Sequence, residues 1–374
     1  MMTYSALLDF ERSRLSAAAQ AALSMAPRTL VTAINPRSPG GPHDFSSEAD
    51  YWWPDPANPD GPYIQRDGMT NPDNFTAHRE LMLDFATHVG HLAGAWQCTG
   101  EGRFAERAVA HMRAWFCDPA TRMNPHLEYA QAIGGVCTGR GIGLIDTVHL
   151  AEVALALELL RHDKAMCATD DEMITRWFSD YLQWFRTHPY GIDESNTDNN
   201  HSVCWTLQAA AFARATRNQA VLEECRQRFT QVLLPGQMAL DGSFPRELGR
   251  TKPYGYSIFN LDVMSALALV ISSEEFDALN FRLPDGRSVI RGIEFLAPYL
   301  ADKGQWPYSH DVMYWTEWPI RQPALLFGAL SARRADWLSL WGKLPTDPTV
   351  FEVRRNYPVR NPGLWLGRSL NVWN

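Results

Sequence analysis

Apolar residues recur along most of this chain with a helical period. Between Ile174 and Phe185 they stand at Ile174, Trp177, Phe178, Tyr181, Leu182 and Phe185. That is the i, i+3, i+4, i+7, i+8, i+11 stripe of a helix with one face in a core. Similar periods run over Leu81–Trp96, Phe104–Phe116, Leu144–Leu160, Val203–Ala215, Ala220–Leu233, Ile258–Ile271, Val289–Leu300 and Pro323–Leu330. No sustained alternation of apolar and polar residues marks a strand, and no Asn-Gly or Asp-Gly turn sits between alternating flanks. Polar stretches rich in Pro, Gly, Trp, Tyr and Asn separate the helices: Tyr51–Phe75, Met123–Gly141, Thr187–His201, Asp241–Ser257 and Lys303–Pro319. Loops this long in a compact protein usually carry function. Ten or so helices joined by alternating short and long links predict stacked helical hairpins. The expected class is all-α, an α/α toroid with long loops over one end, formed by residues 1–374 as a single domain. No strict repeat argues for an open solenoid.

Composition narrows the reading. In 374 residues, 45% are apolar and 20% charged, the profile of a globular protein. The net charge of -8 argues against a nucleic-acid partner, which usually requires a basic face. It leaves room for an anionic substrate, because a site can be locally basic on an acidic protein. No unbroken run of about 18 apolar residues stands in the chain, so no membrane partner is expected. The start, MMTYSALLDFERSRL, has no basic segment followed by an apolar one. The compartment stays open between cytoplasmic and an exported protein whose signal has been removed, and oligomeric state is equally open. The six cysteines (Cys98, Cys117, Cys137, Cys167, Cys204, Cys225) show no CxxC pair or metal-ligand spacing and read mostly as buried thiols. Fourteen tryptophans, several beside Pro, Gly and Asp in the loops, suit stacking on sugar faces as well as loop packing.

Two stretches carry chemistry. The first is DNNHSVCW, Asp198–Trp205. Asp198 or an asparagine suits the cap of the following helix. A cap does not account for two amides and an imidazole together. Amides can hydrogen-bond a carboxylate without charge, and an imidazole can give or take a proton. The second holds Arg246, Glu247, Arg250, Tyr254 and Tyr256. It reads either as a charged turn before a helix or as a tyrosine whose phenolate a nearby guanidinium stabilises. Other signals are weaker. His88 and His91 lack the further ligands a metal needs. Asp170-Asp171-Glu172 fits an acidic helix start. Gly139-Arg140-Gly141, just before Asp146, lacks the lysine of a phosphate loop. Tyr51-Trp52-Trp53 and Trp315–Trp318 suit substrate walls.

DNNHSVCW together with RELGRTKPYGYSIFNL resembles the alginate lyase superfamily of polysaccharide lyases. YWWPDPANPDGPYIQRDG, NPHLEYAQAIGGVCTGRGIGLIDT and YWTEWP are similar to its family thirty-eight. Resemblance to family five is more distant, because Val203-Cys204-Trp205 replaces an aromatic pair there. The resemblance implies a helical toroid that cleaves a 1,4-linked polyuronate (alginate, polymannuronate or glucuronan) by β-elimination. It implies Asn200 and His201 near the substrate carboxylate and Arg250 beside Tyr256. In that scheme Tyr256 takes the C5 proton and returns one to O4, and no metal or other cofactor is needed. Tyr129, Gln131, Arg140, Arg246 and Tyr254 are candidates for binding sugar hydroxyls or carboxylates, with Trp52 and Trp53 for stacking. Two rivals remain. A glycoside hydrolase needs two flanking carboxylates, with Asp55, Asp198, Glu247 and Glu317 available. The other is a carbohydrate-binding protein without catalysis.

Overall fold

The computed structural model describes residues 2–367. Sixteen α-helices run through the described residues, with four strands of two to four residues between them. The chain packs as two compact units. One holds Leu8–Glu194 and Ala211–Asn218; the other holds Ser195–Ala210, the described part of Gln219–Asn374 and the N-terminal residues up to Leu7.

In the unit containing Leu8–Glu194, the core is a hairpin of Ala77–Thr99 and Gly102–Phe116. The link is short because Gly100 takes a left-handed φ of 73° and its N–H closes on the Trp96 carbonyl, a conformation costly for residues with a Cβ. Leu150–Leu160 packs on the first of these helices and Ala168–Thr187 on the second. The predicted stripe fills this core: Ile174, Phe178, Tyr181 and Phe185 are fully buried. Phe85 stacks on Trp115 with centroids 4.5 Å apart. Asp170 and Asp171 open Ala168–Thr187 as expected, paired with Arg113 and Arg161 at 2.6 Å each. Cys167 caps that helix by accepting the Asp170 N–H, so it is exposed rather than buried like Cys98, Cys117, Cys204 and Cys225.

Three segments depart from the pattern. Leu144–Leu160 is predicted as one helix. Instead a 3-10 turn, Gly141–Thr147, precedes the helix Leu150–Leu160. The turn wraps the strand Tyr129–Ala132 so closely that a Cβ on Gly143 would lie 2.7 Å from the Ala130 carbonyl. That strand pairs in parallel with Ser46–Glu48, and Trp52–Trp53 pairs antiparallel with Ile64–Gln65. These strands escape a periodicity search because two to four residues show no alternation. Tyr4–Leu23 forms a helix that the pattern misses, since its buried positions (Leu7, Leu15, Ala19, Ala22) are sparse and partly alanine.

The other unit is organised by Pro253–Ile271, whose residues are nearly all buried. Val289–Ala301, Pro323–Ser331, Pro245–Leu248 and Pro362–Leu366 pack around it. Prolines stand in the first turn of four of these helices, where a missing N–H costs nothing. The central helix is long and apolar enough to cross a membrane, though a search for an unbroken apolar run passes over it; 94% of it is buried inside the protein. It begins at Pro253, five residues before the predicted start, so Tyr254 and Tyr256 lie on its first turn rather than in a loop.

Candidate active site

Asp198–His201 lie at the start of the helix Asn200–Ala215. Cap duty falls to Asn199, whose Oδ1 accepts the His201 N–H at 3.2 Å. Asp198 instead pairs with Arg246 at 2.6 Å, both side chains well exposed. Asn200 turns inward: its backbone N–H and its Nδ2 both donate to Glu247 Oε1, at 2.7 and 2.9 Å. Gln237, on the helix Leu234–Gln237, donates to the Asn199 carbonyl at 2.8 Å and to Ser202 Oγ at 2.9 Å. It accepts in turn from Asn260 Nδ2 at 3.1 Å. The turn that carries His201 is therefore held from below by a buried amide chain. His201 itself is half-buried.

Glu247 comes from the short helix Pro245–Leu248 and is completely buried. Burial pushes its carboxyl above the usual range; the two Asn200 bonds and the charges of Arg250 and His201 oppose that shift. Its second oxygen, Oε2, is buried and has no hydrogen-bond partner. Three residues on, Arg250 donates to the Tyr256 hydroxyl at 3.4 Å, with its guanidinium 4.5 Å from the centre of that ring. Glu247 thus joins the two stretches that sequence reading marks separately. Its spacing to Arg250 is visible in the sequence, but its burial against Asn200 is not.

Asp311 seats the first turn of Pro253–Ile271. Its two oxygens accept the Tyr254 and Gly255 N–H groups at 2.9 Å each. Gly255 is required there, because a Cβ would lie 2.9 Å from Asp311 Oδ2 and 3.2 Å from Trp318 Nε1. Tyr254 does not fit its assignment as a sugar ligand. Its side chain is fully buried, and its hydroxyl donates to the Tyr299 carbonyl at 3.0 Å. The helical turn points it opposite to the half-buried Tyr256. Trp315 stacks on His310 at 4.0 Å and Trp318 is buried, so both brace the 303–319 loop. Arg246 remains exposed on Asp198.

The remaining candidates stand in the other unit. Gln131 is buried at a left-handed φ of 55°. Its Nε2 donates to Asp146 Oδ1 at 3.1 Å; its carbonyl and Oε1 accept from Arg140 at 3.1 and 3.2 Å. Ser47 Oγ donates to Asp146 at 2.5 Å and accepts the Gln131 N–H at 2.8 Å. Gln131 therefore braces Arg140, whose guanidinium lies 6.0 Å from the Trp52 ring. Trp52 also lines a pocket of about 330 Å³ with Arg37, Tyr63, Asn74 and residues 132–138. Trp53 is fixed by its Nε1 bond to the Met69 carbonyl at 2.9 Å and lies under Arg66. Tyr129 is half-buried, its ring against Gly40. Of the four carboxylates open to a hydrolase, Asp198 is paired, Glu247 is buried, Asp55 closes its own turn by accepting the Ala57 N–H, and Glu317 is exposed and accepts from Thr316 Oγ1 at 3.1 Å.

Comparison with known proteins follows the same lines. Over 95% of this chain and 92% of the other, the structure matches an alginate lyase from Bacteroides ovatus at 31% identity, with a TM-score of 0.81. Alginate lyase A1-III from Sphingomonas species A1 matches over 96% and 95% of the two chains at 15% identity, TM-score 0.59. A variant of that enzyme complexed with a tetrasaccharide matches over the same shares at 14% identity, TM-score 0.60. No curated protein matches the chain. The fold class is the all-α toroid expected from the helical pattern. Residues 30–306 match the alginate lyase family, and the chain belongs to that family. It is a polysaccharide lyase.

Proposed function

We propose that the chain cleaves a 1,4-linked polyuronate, in the alginate and glucuronan class, by β-elimination. The observation that carries this reading is the Arg250–Tyr256 contact, tied through Glu247 to the turn that holds Asn200 and His201. The proton on C5 is weakly acidic because a carboxylate is attached to that carbon. Its removal adds negative charge to a group already anionic, so donors aimed at the carboxylate lower the barrier most. His201 and Asn200 supply those donors. Asn200 Nδ2 carries two hydrogens, and the Glu247 bond uses one of them.

Tyr256, as phenolate beside Arg250, takes the C5 proton. The electron pair of that bond forms the C4–C5 double bond, and the C4–O4 bond breaks. Tyr256, now protonated, gives its proton to the departing O4. One residue can do both when H5 and O4 share a face of the ring, as in mannuronate and glucuronate. In guluronate they lie on opposite faces, and His201 then becomes the base with Tyr256 as acid. Arg140 and Trp52 are candidates for binding sugar in this reading, by charge and by stacking.

Elimination leaves an unsaturated uronate that absorbs in the ultraviolet, and hydrolysis does not. Polymannuronate, polyguluronate, mixed alginate and glucuronan are incubated with the protein and followed by absorbance and by reducing ends. Rising absorbance in step with new ends supports elimination. New ends without absorbance would assign the chain to hydrolysis.

A further inference from the structure

Tyr256 has a second cation beside it. Lys252, the residue before the helix Pro253–Ile271, is buried, with its Nζ 5.3 Å from the Tyr256 ring and 5.4 Å from the Tyr314 ring. A lysine is rarely buried without a partner. Here the partner is Glu352, also buried, on the helix Phe351–Arg355. Glu352 does not simply cancel the charge. Its other oxygen accepts from Arg355 at 2.5 Å, so one carboxylate is shared by two cations. Lys252, Tyr256, Tyr314, Asp311, Glu352 and Asn356 line one small pocket.

We propose that Lys252 is a positioning residue for the elimination: clamped by Glu352, its ammonium fixes the Tyr256 ring and stabilises negative charge on it, beside the Arg250 contact with the hydroxyl. The inference rests on the reading of Tyr256 as the base. Oppositely charged groups a few ångströms apart in a partly dry pocket interact far more strongly than in water. The charged and titratable groups around Tyr256 can be named by element. Arg250 and Lys252 precede the helix. Asp311 and Tyr314 come from the loop, where Lys303 also acts on Asp311. Glu352 and Arg355 come from the later helix. Glu247, with Arg250 and His201 in its field, lies toward Asn200. Asp311 is an anion within the field of Lys252. Both its oxygens already accept helix N–H groups, and burial pushes its carboxyl toward the neutral form. Val312 N–H also donates to the Thr251 carbonyl at 3.1 Å, which fastens the loop beside Lys252.

The test is the pH profile of kcat/KM on polymannuronate for wild type, Lys252→Met, Lys252→Arg and Tyr256→Phe, with thermal melts. Removing one partner of a buried ion pair can unfold a protein, so Lys252→Gln, whose amide can still donate to Glu352, is made as well and read in the same way. For the folded charge-removing variant, the acidic limb moves up by about one pH unit and neutral kcat/KM falls about tenfold. The loss sits in kcat, and Lys252→Arg restores most of it. A folded charge-removing variant whose limb stays in place, with loss equal at every pH, overturns the proposal. If Tyr256→Phe turns over substrate as fast as wild type, the reading of Tyr256 fails and this inference falls with it; an inactive Tyr256→Phe with unmoved limbs sinks the inference alone.

Discussion

Two buried polar networks, one in each unit, are built alike and end differently. In one, the Glu247 carboxyl holds the Asn200 amide, and Arg250 follows three residues on. In the other, the Asp146 carboxyl holds the Gln131 amide, and Arg140 donates to Gln131. Burial pushes both carboxyls up. The difference is what the arginine meets. Arg140 donates to Gln131 through Nε and one terminal nitrogen and lies near an indole, and burial makes its cation less favourable than usual. Such a group binds. Arg250 meets a hydroxyl that can lose its proton. In the proposed reaction the same scaffold device thus aims a cation at a sugar in one place and at a base in the other.

That contrast can be broken at its parts. Arg250→Ala removes the donor at the Tyr256 hydroxyl, and kcat is expected to fall by about 10²–10³-fold with KM little changed, by steady-state ultraviolet assay. An equal loss confined to KM would move Arg250 into the binding class with Arg140. Glu247→Ala leaves the buried Asn200 donors without an acceptor and is expected to lower stability by about 1–3 kcal/mol in a urea melt. Glu247→Gln keeps that acceptor oxygen and stays folded. Gln131→Ala frees Arg140 from its brace; KM is expected to rise several-fold while kcat holds, and a loss in kcat instead would erase the distinction between the two networks.

The smallest effect concerns a carboxyl outside both networks. Asp262 is fully buried on the central helix, accepts the Ala324 N–H at 3.2 Å, and burial raises it well above the usual carboxylate range. A raised acid favours the fold while neutral. Its contribution is therefore complete below the ordinary carboxylate value and is lost as pH rises through the raised one. Asp262→Asn cannot ionise, so its melting temperature should fall less than wild type between mildly acidic and mildly alkaline pH. Parallel melting curves for the two proteins would contradict this.

Much of this was legible in the sequence, for physical reasons. The Ile174–Phe185 stripe and its acidic start are local patterns, and the helix follows them. DNNHSVCW and the Arg250–Tyr256 spacing are local too; the contact between Arg250 and Tyr256 spans six residues. What escaped depends on distant partners. Asn200 reads as a donor facing outward until Glu247, 47 residues on, takes its amide. Tyr254 and Tyr256 look equivalent in a loop; starting the helix at Pro253 sends one into the core and leaves the other half-exposed. Lys252 lies within RELGRTKPYGYSIFNL, but the stretch gives it no role, and its pairing with Glu352, 100 residues away, is not local.

The central claim is that Tyr256 moves the proton. Tyr256→Phe, assayed on polymannuronate by ultraviolet absorbance with polymer binding measured alongside, tests it most directly. General acid–base groups contribute about 10²–10⁴-fold, so kcat should fall by at least about 10²-fold while binding is retained. Turnover within a few-fold of wild type would contradict the claim.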